Sequence, residues 1–154
     1  MRRLGVFVAT CGYIGYAPVA PGTFGSAAGL AVYALVRATA SPTVEIAAIV
    51  GLFAIGVWSA SEAERHFERV DPGPVVLDEV VGMLITLAFI PVGLSGALVG
   101  FFLFRIFDII KPFPAGRLER LHGGLGVMAD DAMAAVYANI SLRAVLWVMP
   151  GWVA

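Results

Sequence analysis

The sequence predicts an all-α protein, a polytopic membrane helical bundle with four to five short transmembrane helices in a single domain over residues 1–154. Two observations lead to this prediction. Hydrophobic residues make up 60% of the chain and charged residues 14%, whereas soluble domains usually carry about 25% charged residues. The apolar residues form several runs that proline and glycine separate, which is typical of consecutive helices. A soluble domain of this size could not bury so much apolar surface, so part of it is expected to face lipid.

Charge and cysteine content exclude several function classes. The net charge of −1 provides no basic field for nucleic acid, so no nucleic-acid partner is expected. The single cysteine, Cys11, excludes an internal disulfide and a cysteine-rich metal site. Arg2, Arg3 and the apolar run after them imitate a signal peptide. Because Pro18 and the Pro21-Gly22 pair follow, we expect this segment to belong to the working protein.

Four or five spanning helices are expected, and most end at proline or glycine. They cover about residues 24–40, 43–59, 75–90, 97–110 and 130–149, and breaks follow at Ser41-Pro42, Pro72-Gly73-Pro74, Pro91, Pro112 and Pro150-Gly151. The second ends before a charged stretch over residues 62–71, which Pro72-Gly73-Pro74 closes. A helix needs roughly 20 apolar residues to cross the hydrocarbon core. The third and fourth runs are shorter than this, so we expect their polar ends to lie slightly below the lipid headgroups.

The expected alternation of helix direction places three polar segments on one side of the membrane: residues 1–23, 60–77 and 108–130. Most basic residues fall in these segments: Arg2, Arg3, Arg65, Arg69, Lys111, Arg117 and Arg120. Only Arg37, and Arg143 by snorkelling, belong to the other side. The excess of lysine and arginine marks the crowded side as cytoplasmic. We therefore expect a multi-pass protein of the bacterial cytoplasmic (inner) membrane with its functional site facing the cytoplasm.

The first polar motif runs from Gly15 to Ser26 and combines two prolines with glycines inside an apolar stretch. Such irregular backbone at membrane depth is tolerated where protein buries it or where it lines a wet cavity. Thr23 is expected just before the first helix, at the N-cap, where a hydroxyl and free backbone amides can bind an anion. Thr23 and Ser26 are therefore candidate phosphate ligands, and the alternative is a simple turn that starts a helix.

The second motif places Asp78 and Glu79 at the start of an apolar helix, with Gly82 one turn later. One explanation for the two acids is purely structural, because the helix dipole stabilises acidic residues at the start of a helix. It leaves unexplained why two carboxylates should enter a low-dielectric region, where an ion is costly unless it is paired or binds a cation. Gly82 leaves space beside Asp78 for a ligand or a neighbouring helix.

Two further motifs place acidic and basic residues on the same side of the membrane as the first two. Arg105 and Asp108 share a helix face and could form an ion pair, and Lys111 follows just before Pro112. A glycine-rich loop from Gly123 to Gly126 precedes Asp130 and Asp131 at the expected start of the fifth helix.

These motifs together predict a metal-assisted phosphate site. Five carboxylates without a histidine or cysteine cluster suit a hard cation, most naturally Mg²⁺: Asp78, Glu79, Asp108, Asp130 and Asp131. Lys111 and Arg105 suit the phosphate. The expected chemistry is phosphoryl transfer or phosphate hydrolysis, with these five acids as metal ligands and catalytic groups. Which carboxylate would activate water stays open, as does a covalent aspartyl-phosphate route.

Four ordered blocks resemble those of the phosphatidylglycerophosphatase A family. They run from Pro18 to Ser26, Val76 to Gly82, Phe104 to Pro114 and Gly123 to Asp131. The resemblance implies Mg²⁺-dependent hydrolysis of phosphatidylglycerophosphate to phosphatidylglycerol and phosphate in phospholipid biosynthesis. It implies metal-site roles for the five acids above and phosphate contacts for Lys111 and Arg105. Two positions depart from the pattern, Tyr13 and Ala135, where the family often has glycine.

Two alternatives use the same residues differently. A divalent-cation channel or transporter would place acidic residues at mid-membrane or at both surfaces, and Glu45 is the main candidate for the second surface. A noncatalytic membrane scaffold would use the charges as anchors at helix ends. The sequence leaves the oligomeric state open.

Overall fold

The computed structural model describes residues 2–149, which form seven α-helices and no strand, so the all-α prediction is confirmed. The helices are α1 (Arg2–Ala9), α2 (Pro21–Ala38), α3 (Pro42–Phe67), α4 (Leu77–Leu87), α5 (Leu94–Ile110), α6 (Ala115–Leu118) and α7 (Gly124–Val148), with a short 3-10 turn over Ile14–Tyr16. The five expected helices correspond to α2, α3, α4, α5 and α7. The break expected at Pro150-Gly151 lies outside the described residues.

Consecutive long helices run in opposite directions, as the sequence predicts, so alternate helix ends meet. At one end, the start of α2 reaches the start of α4 and the end of α5, where Gly22 lies against Glu79 and Arg105. The end of α5 reaches the start of α7 through Lys111 and Asp130. At the other end, Tyr33 of α2 and Glu45 of α3 contact the segment that follows α4.

Helix α4 lies at the centre of the bundle, and nearly all its residues are buried. Met83, Leu84 and Leu87 pack with Phe104 of α5 and Leu142 of α7 in the main apolar core. A Cβ atom at Gly82 would overlap the Phe104 ring, so the space beside Gly82 accommodates a neighbouring helix. The sequence predicts a helix over about residues 75–90, but α4 is shorter because the chain leaves the helix at Ala88 and continues without helix to Gly93.

Side chains of α7 hold the end of α4. Asn139 donates from Nδ2 to the carbonyl oxygens of Ile85 (3.1 Å), Thr86 (2.9 Å) and Ala88 (3.2 Å). Arg143 donates to the same Ala88 carbonyl at 3.1 Å. The last carbonyls of a helix have no partner within it, so these bonds allow α4 to end inside the protein.

Replacing Asn139 with alanine should therefore destabilise the bundle by about 1–3 kcal/mol, because it leaves buried carbonyls without a donor. Thermal unfolding in detergent measures this effect. Ile140→Ala is the matched control, since Ile140 lies on the next position of α7 with 60% of its surface exposed. Equal midpoints for the two variants would contradict the capping role.

Two other boundaries differ from the sequence prediction. Helix α3 continues to Phe67, through much of the charged stretch, where Arg65 pairs with Glu62 one turn earlier. Helix α7 begins at Gly124 rather than Asp130, so the glycine-rich segment is helical. A Cβ atom at Gly124 would overlap the Val57 carbonyl of α3. Glycine at this position permits α7 to pack closely against α3. The glycine content of the segment does not by itself indicate this packing.

One helix of the described chain is long and apolar enough to cross a membrane by itself. This is α3, whose most apolar 18-residue window has a mean hydropathy of 1.8 and is 22% buried. The expectation of four to five spans is therefore not confirmed by helix length and composition.

Candidate active site

Three carboxylates meet between the starts of α4 and α7. One oxygen from each of Asp78, Glu79 and Asp131 lies within 4.8 Å of the other two. Asp78 and Asp131 are 6% and 5% exposed. Burial at this depth makes the mutual repulsion of carboxylates costly unless a cation lies among them. We call Asp78, Glu79 and Asp131 the acidic triad.

The acidic triad fits a hard divalent cation. Oxygen Oε2 of Glu79 and Oδ2 of Asp131 are buried without a hydrogen-bond partner in the described structure. Buried polar atoms nearly always have a partner, so these two oxygens indicate a missing ligand. The donor set consists of carboxylate oxygens, which Mg²⁺ prefers.

The other two predicted acids are bound by basic side chains. Arg105 donates from Nη1 to Oδ2 of Asp108 at 2.5 Å, and the same nitrogen lies 3.8 Å from Oε1 of Glu79. Lys111 donates to Oδ2 of Asp130 at 2.6 Å, which leaves Oδ1 of Asp130 buried without a partner. The structure thus brings three of the five acids together, and it links the other two to Arg105 and Lys111, the two basic residues among the four predicted phosphate ligands.

Lys111 is positioned by the end of α5. Its backbone adopts a left-handed conformation with φ of 47°, and its amide donates to the Phe107 carbonyl at 2.8 Å. Besides Asp130, the ammonium lies 3.4 Å from Oε1 of Glu119. Burial opposes its charge, but the hydrogen bond to Asp130 and the nearby carboxylates outweigh burial and raise the pKa of Lys111. Lys111 therefore carries a positive charge at neutral pH.

Thr23 and Ser26 are placed differently from the sequence expectation. Helix α2 begins at Pro21, and its N-cap is Ala20 in a left-handed conformation, so the expected N-cap position of Thr23 is wrong. The early start reflects proline, whose fixed φ suits the first helical position. Thr23 is exposed, while Ser26 is fully buried and donates its hydroxyl to the Gly22 carbonyl at 2.9 Å.

Helix α2 contacts the site through its backbone at Gly22 rather than through a side-chain hydroxyl. A Cβ atom at Gly22 would overlap Oε1 of Glu79 and lie 3.0 and 3.1 Å from the two terminal nitrogens of Arg105. Only glycine allows the α2 backbone to approach this ion pair so closely. Gly22 lies within the first polar motif of the sequence, but the motif does not indicate this contact.

Two acids near Lys111 were not predicted as site residues. They are Glu119, described above, and Asp71, whose amide donates to Glu64 at 3.3 Å. Burial raises the pKa of Asp71, while the charge of Lys111 lowers it and those of Glu119 and Asp108 raise it. Asp71 lies seven residues before Asp78, just ahead of Pro72-Gly73-Pro74, and that proximity was the available signal. Glu119 directly follows α6 as its C-cap residue, in a segment that the sequence treats as a loop.

The surroundings of Cys11 disfavour a nucleophilic role for its thiol. Burial, reinforced by the negative charge of Asp78, raises the pKa of the thiol to about 12. Cysteine reacts as its thiolate, and at neutral pH this thiol is protonated. Tyr13, two residues later, has a φ of 74°, a conformation that glycine adopts without strain. Glycine in place of Tyr13 would therefore relieve the strain of this turn.

The site combines carboxylates that fit a cation with basic groups that fit a phosphate. Arg105 and Lys111 each contact an acid of the cluster yet keep further N–H donors available. A phosphomonoester can be bound between a cation held by the carboxylates and the basic groups of Arg105 and Lys111, so that its oxygens face positive charge on both sides.

Comparison with known proteins gives the same family as the four sequence blocks. The family model described as phosphatidylglycerophosphatase A matches residues 7–146. A Bacteroides thetaiotaomicron protein named "Putative phosphatidylinositol-3-phosphatase" is 38% identical, over 88% of this chain and 89% of its own. Phosphatidylglycerophosphatase A of Haemophilus influenzae is 36% identical, over 84% and 81% of the two chains. The Escherichia coli protein of that name is 35% identical, over 79% and 72%.

No solved structure gives a significant match to this chain. The family match covers the acidic triad, Arg105, Asp108, Lys111 and Asp130 within one continuous alignment. The chain is a phosphatase and belongs to the phosphatidylglycerophosphatase A family.

Proposed function

We propose that this phosphatase is a Mg²⁺-dependent membrane enzyme that hydrolyses phosphatidylglycerophosphate to phosphatidylglycerol and inorganic phosphate in phospholipid biosynthesis. The observation that carries the proposal is the acidic triad with two unpartnered buried oxygens, next to Arg105 and Lys111. Relatives that bear the name phosphatidylglycerophosphatase A support the substrate.

In this reaction Asp78, Glu79 and Asp131 would hold the metal, which supplies Lewis-acid polarisation of the phosphate when bound. Arg105 and Lys111 bind the remaining phosphate oxygens and stabilise the charge that grows on them. One carboxylate of the cluster accepts a proton from the attacking water. The water oxygen bonds to phosphorus, the ester P–O bond breaks, and the glycerol oxygen leaves with a proton.

The proposed location is the bacterial cytoplasmic (inner) membrane, crossed several times, with the site facing the cytoplasm. Helix α3 can span a bilayer, and large apolar side chains are exposed along α2, α5 and α7. Helices α4 and α5 are short, and α4 ends inside the protein, so protein rather than lipid surrounds its polar end. Most arginines lie at the end that holds the site, which supports a cytoplasmic orientation.

The cation-channel alternative finds no support in the site or the comparisons. Its second acidic surface would require Glu45, but that carboxylate is 7% exposed and accepts a hydrogen bond from the Phe89 amide at 2.9 Å. Glu45 therefore has a structural partner at the end of the bundle opposite the acidic triad.

The decisive experiment supplies purified protein with phosphatidylglycerophosphate in mixed micelles and measures released phosphate. Phosphatidylinositol 3-phosphate is the comparison substrate, because one relative is named for that activity. We expect a preference of at least about tenfold in kcat/KM for phosphatidylglycerophosphate, a ratio within reach of headgroup contacts. The opposite preference would reassign the substrate. Metal flux in vesicles without hydrolysis would favour a channel, and neither activity would favour a scaffold.

Metal removal gives a separate prediction. Treatment with a chelator should abolish phosphate release, and added Mg²⁺ should restore it, because the acidic triad would otherwise repel an anionic substrate. Thermal unfolding provides a readout independent of activity. Mg²⁺ should raise the midpoint of the wild-type protein by binding the folded state. Full activity in excess chelator would contradict the metal role.

A further inference from the structure

A cavity of about 490 Å³ lies at the end of the bundle opposite the acidic triad. Its walls come from the last turns of α2, the segment just before α5 and the start of α5, and they include Leu30, Tyr33, Ala34, Arg37, Val92 and Ala97. Arg37 lies 15 residues after Gly22 on the same helix, which corresponds to about 22 Å along the axis. The cavity is thus separate from the catalytic site.

Arg37 is the charged residue of this cavity; it is exposed at the cavity edge, and its guanidinium makes no ion pair or hydrogen bond within residues 2–149. It differs in this respect from Arg143, the other arginine at this end, which bonds to Asn139 and the Ala88 carbonyl. The carboxylate nearest in the fold, Glu45, lines a smaller adjoining cavity with Arg37, and one of its oxygens accepts the Phe89 amide. Arg37 therefore has donors free for an external anion.

The remaining walls are apolar and open towards the side of the bundle. Ala34 and Leu94 are exposed residues of the cavity, and Leu94 is 78% exposed. The volume falls within the range of pockets that hold small organic ligands. Tyr33 does not compete for a ligand, because its hydroxyl already donates to the Ile90 carbonyl at 3.1 Å. An apolar trough with one free arginine at its edge suits a molecule with a hydrocarbon chain and an anionic head.

We propose that this cavity binds an anionic phospholipid of the surrounding bilayer, with an acyl chain along the apolar walls and the phosphodiester on Arg37. Charge complementarity selects the occupant, since the guanidinium prefers phosphate oxygens and lacks an internal partner. The inference rests on the proposed embedding of the chain in the membrane, and it does not depend on the catalytic mechanism. It assigns a second lipid site to the leaflet opposite the active site.

The test compares thermal unfolding of the full chain in neutral detergent with added phosphatidylglycerol or phosphatidylcholine. Phosphatidylglycerol should raise the midpoint by about 5 °C when it saturates the site, because a ligand that binds only the folded state stabilises it. Phosphatidylcholine, which has no net charge, should raise it much less. Equal shifts with both lipids would overturn the charge-based selection.

Two variants locate the effect. Arg37→Gln removes the phosphate partner, and Ala34→Trp fills the trough, so each should lose most of the shift. Their matched controls are Arg120→Gln, at the other end of the bundle, and Leu35→Trp, on an exposed position of α2 outside the cavity. Both controls should keep the shift. Because each shift is referred to the same variant without lipid, a change in intrinsic stability does not obscure the result.

A third variant separates this site from product binding at the catalytic centre. Asp108→Asn should keep the full phosphatidylglycerol shift, since Asp108 lies at the opposite end. Loss of the shift in Asp108→Asn, or its retention in both Arg37→Gln and Ala34→Trp, would overturn the proposal. Phosphate release by the wild-type protein is measured separately, so failure of the proposed function is recognised independently.

Discussion

Replacing Asp78 with asparagine is expected to lower Mg²⁺-dependent phosphate release by at least about 10³-fold. The change keeps the shape of the side chain but removes one of the three charges that would hold the cation. Without metal, the variant should be as stable as the wild type or more so, because asparagine relieves repulsion among buried carboxylates. Asp108→Asn should also abolish phosphate release, since Arg105 would lose its partner beside the site.

Phosphate release and thermal unfolding in detergent, measured on the same preparations, test this expectation. Glu68→Gln is the matched control, because Glu68 is an exposed acid at the same end of the bundle and forms no ion pair within the described residues. The control should retain wild-type activity. Stabilisation by Mg²⁺ should disappear in Asp78→Asn and persist in Glu68→Gln. Activity within tenfold of wild type in both aspartate variants would refute the assignment of these acids.

Replacing Gly22 with alanine is expected to lower kcat/KM by about 10²-fold, although the new methyl group carries no charge. It would overlap Oε1 of Glu79 and press on both terminal nitrogens of Arg105, so the ion pair must shift. A displacement of about 1 Å at reacting groups can cost this much in rate. The effect would show that the close approach of α2 is needed to position Glu79 and Arg105.

Gly51→Ala provides the control for this substitution. Gly51 lies within α3, and a Cβ atom there would have no neighbour within 4 Å. Alanine has the higher helix propensity, so the control should be neutral or stabilising by up to about 1 kcal/mol. Steady-state kinetics on both variants, with unfolding midpoints, distinguish a local effect at the site from a general one. If Gly22→Ala behaves like Gly51→Ala, the backbone contact has no catalytic importance.

The expected helices could be located because proline and glycine interrupt long apolar runs. Five of the seven described helices were recognised in this way, and the alternation of their directions was correct. Helix α1 was missed because its eight residues resemble a targeting segment. The end of α4 was placed too late because the stop depends on Asn139, which lies 52 residues beyond Leu87 along the chain. No local pattern carries that information.

Three of the acids that the sequence predicts as one cluster also lie together in the structure. In an apolar chain every carboxylate near a helix end is conspicuous, so Asp78, Glu79 and Asp131 were all predicted as members of one cluster. Which acids join the acidic triad and which pair with basic residues could not be predicted, because ion pairs between helices decide this. Asp130 was expected beside Asp131 at the metal, yet its carboxylate bonds to Lys111 across the gap between α5 and α7.

The sequence by itself determined the helical class and the excess of apolar residues, and it predicted the chemistry of the site, since composition and scarce charged motifs are local properties of the chain. Only the tertiary structure decided which acids meet as the acidic triad, that Ser26 is buried while Gly22 approaches Glu79, and that Arg37 borders a separate cavity. The physical reason is that these features depend on distances between helices. Side-chain packing sets those distances to within fractions of an ångström, and residue spacing along the chain does not encode them directly.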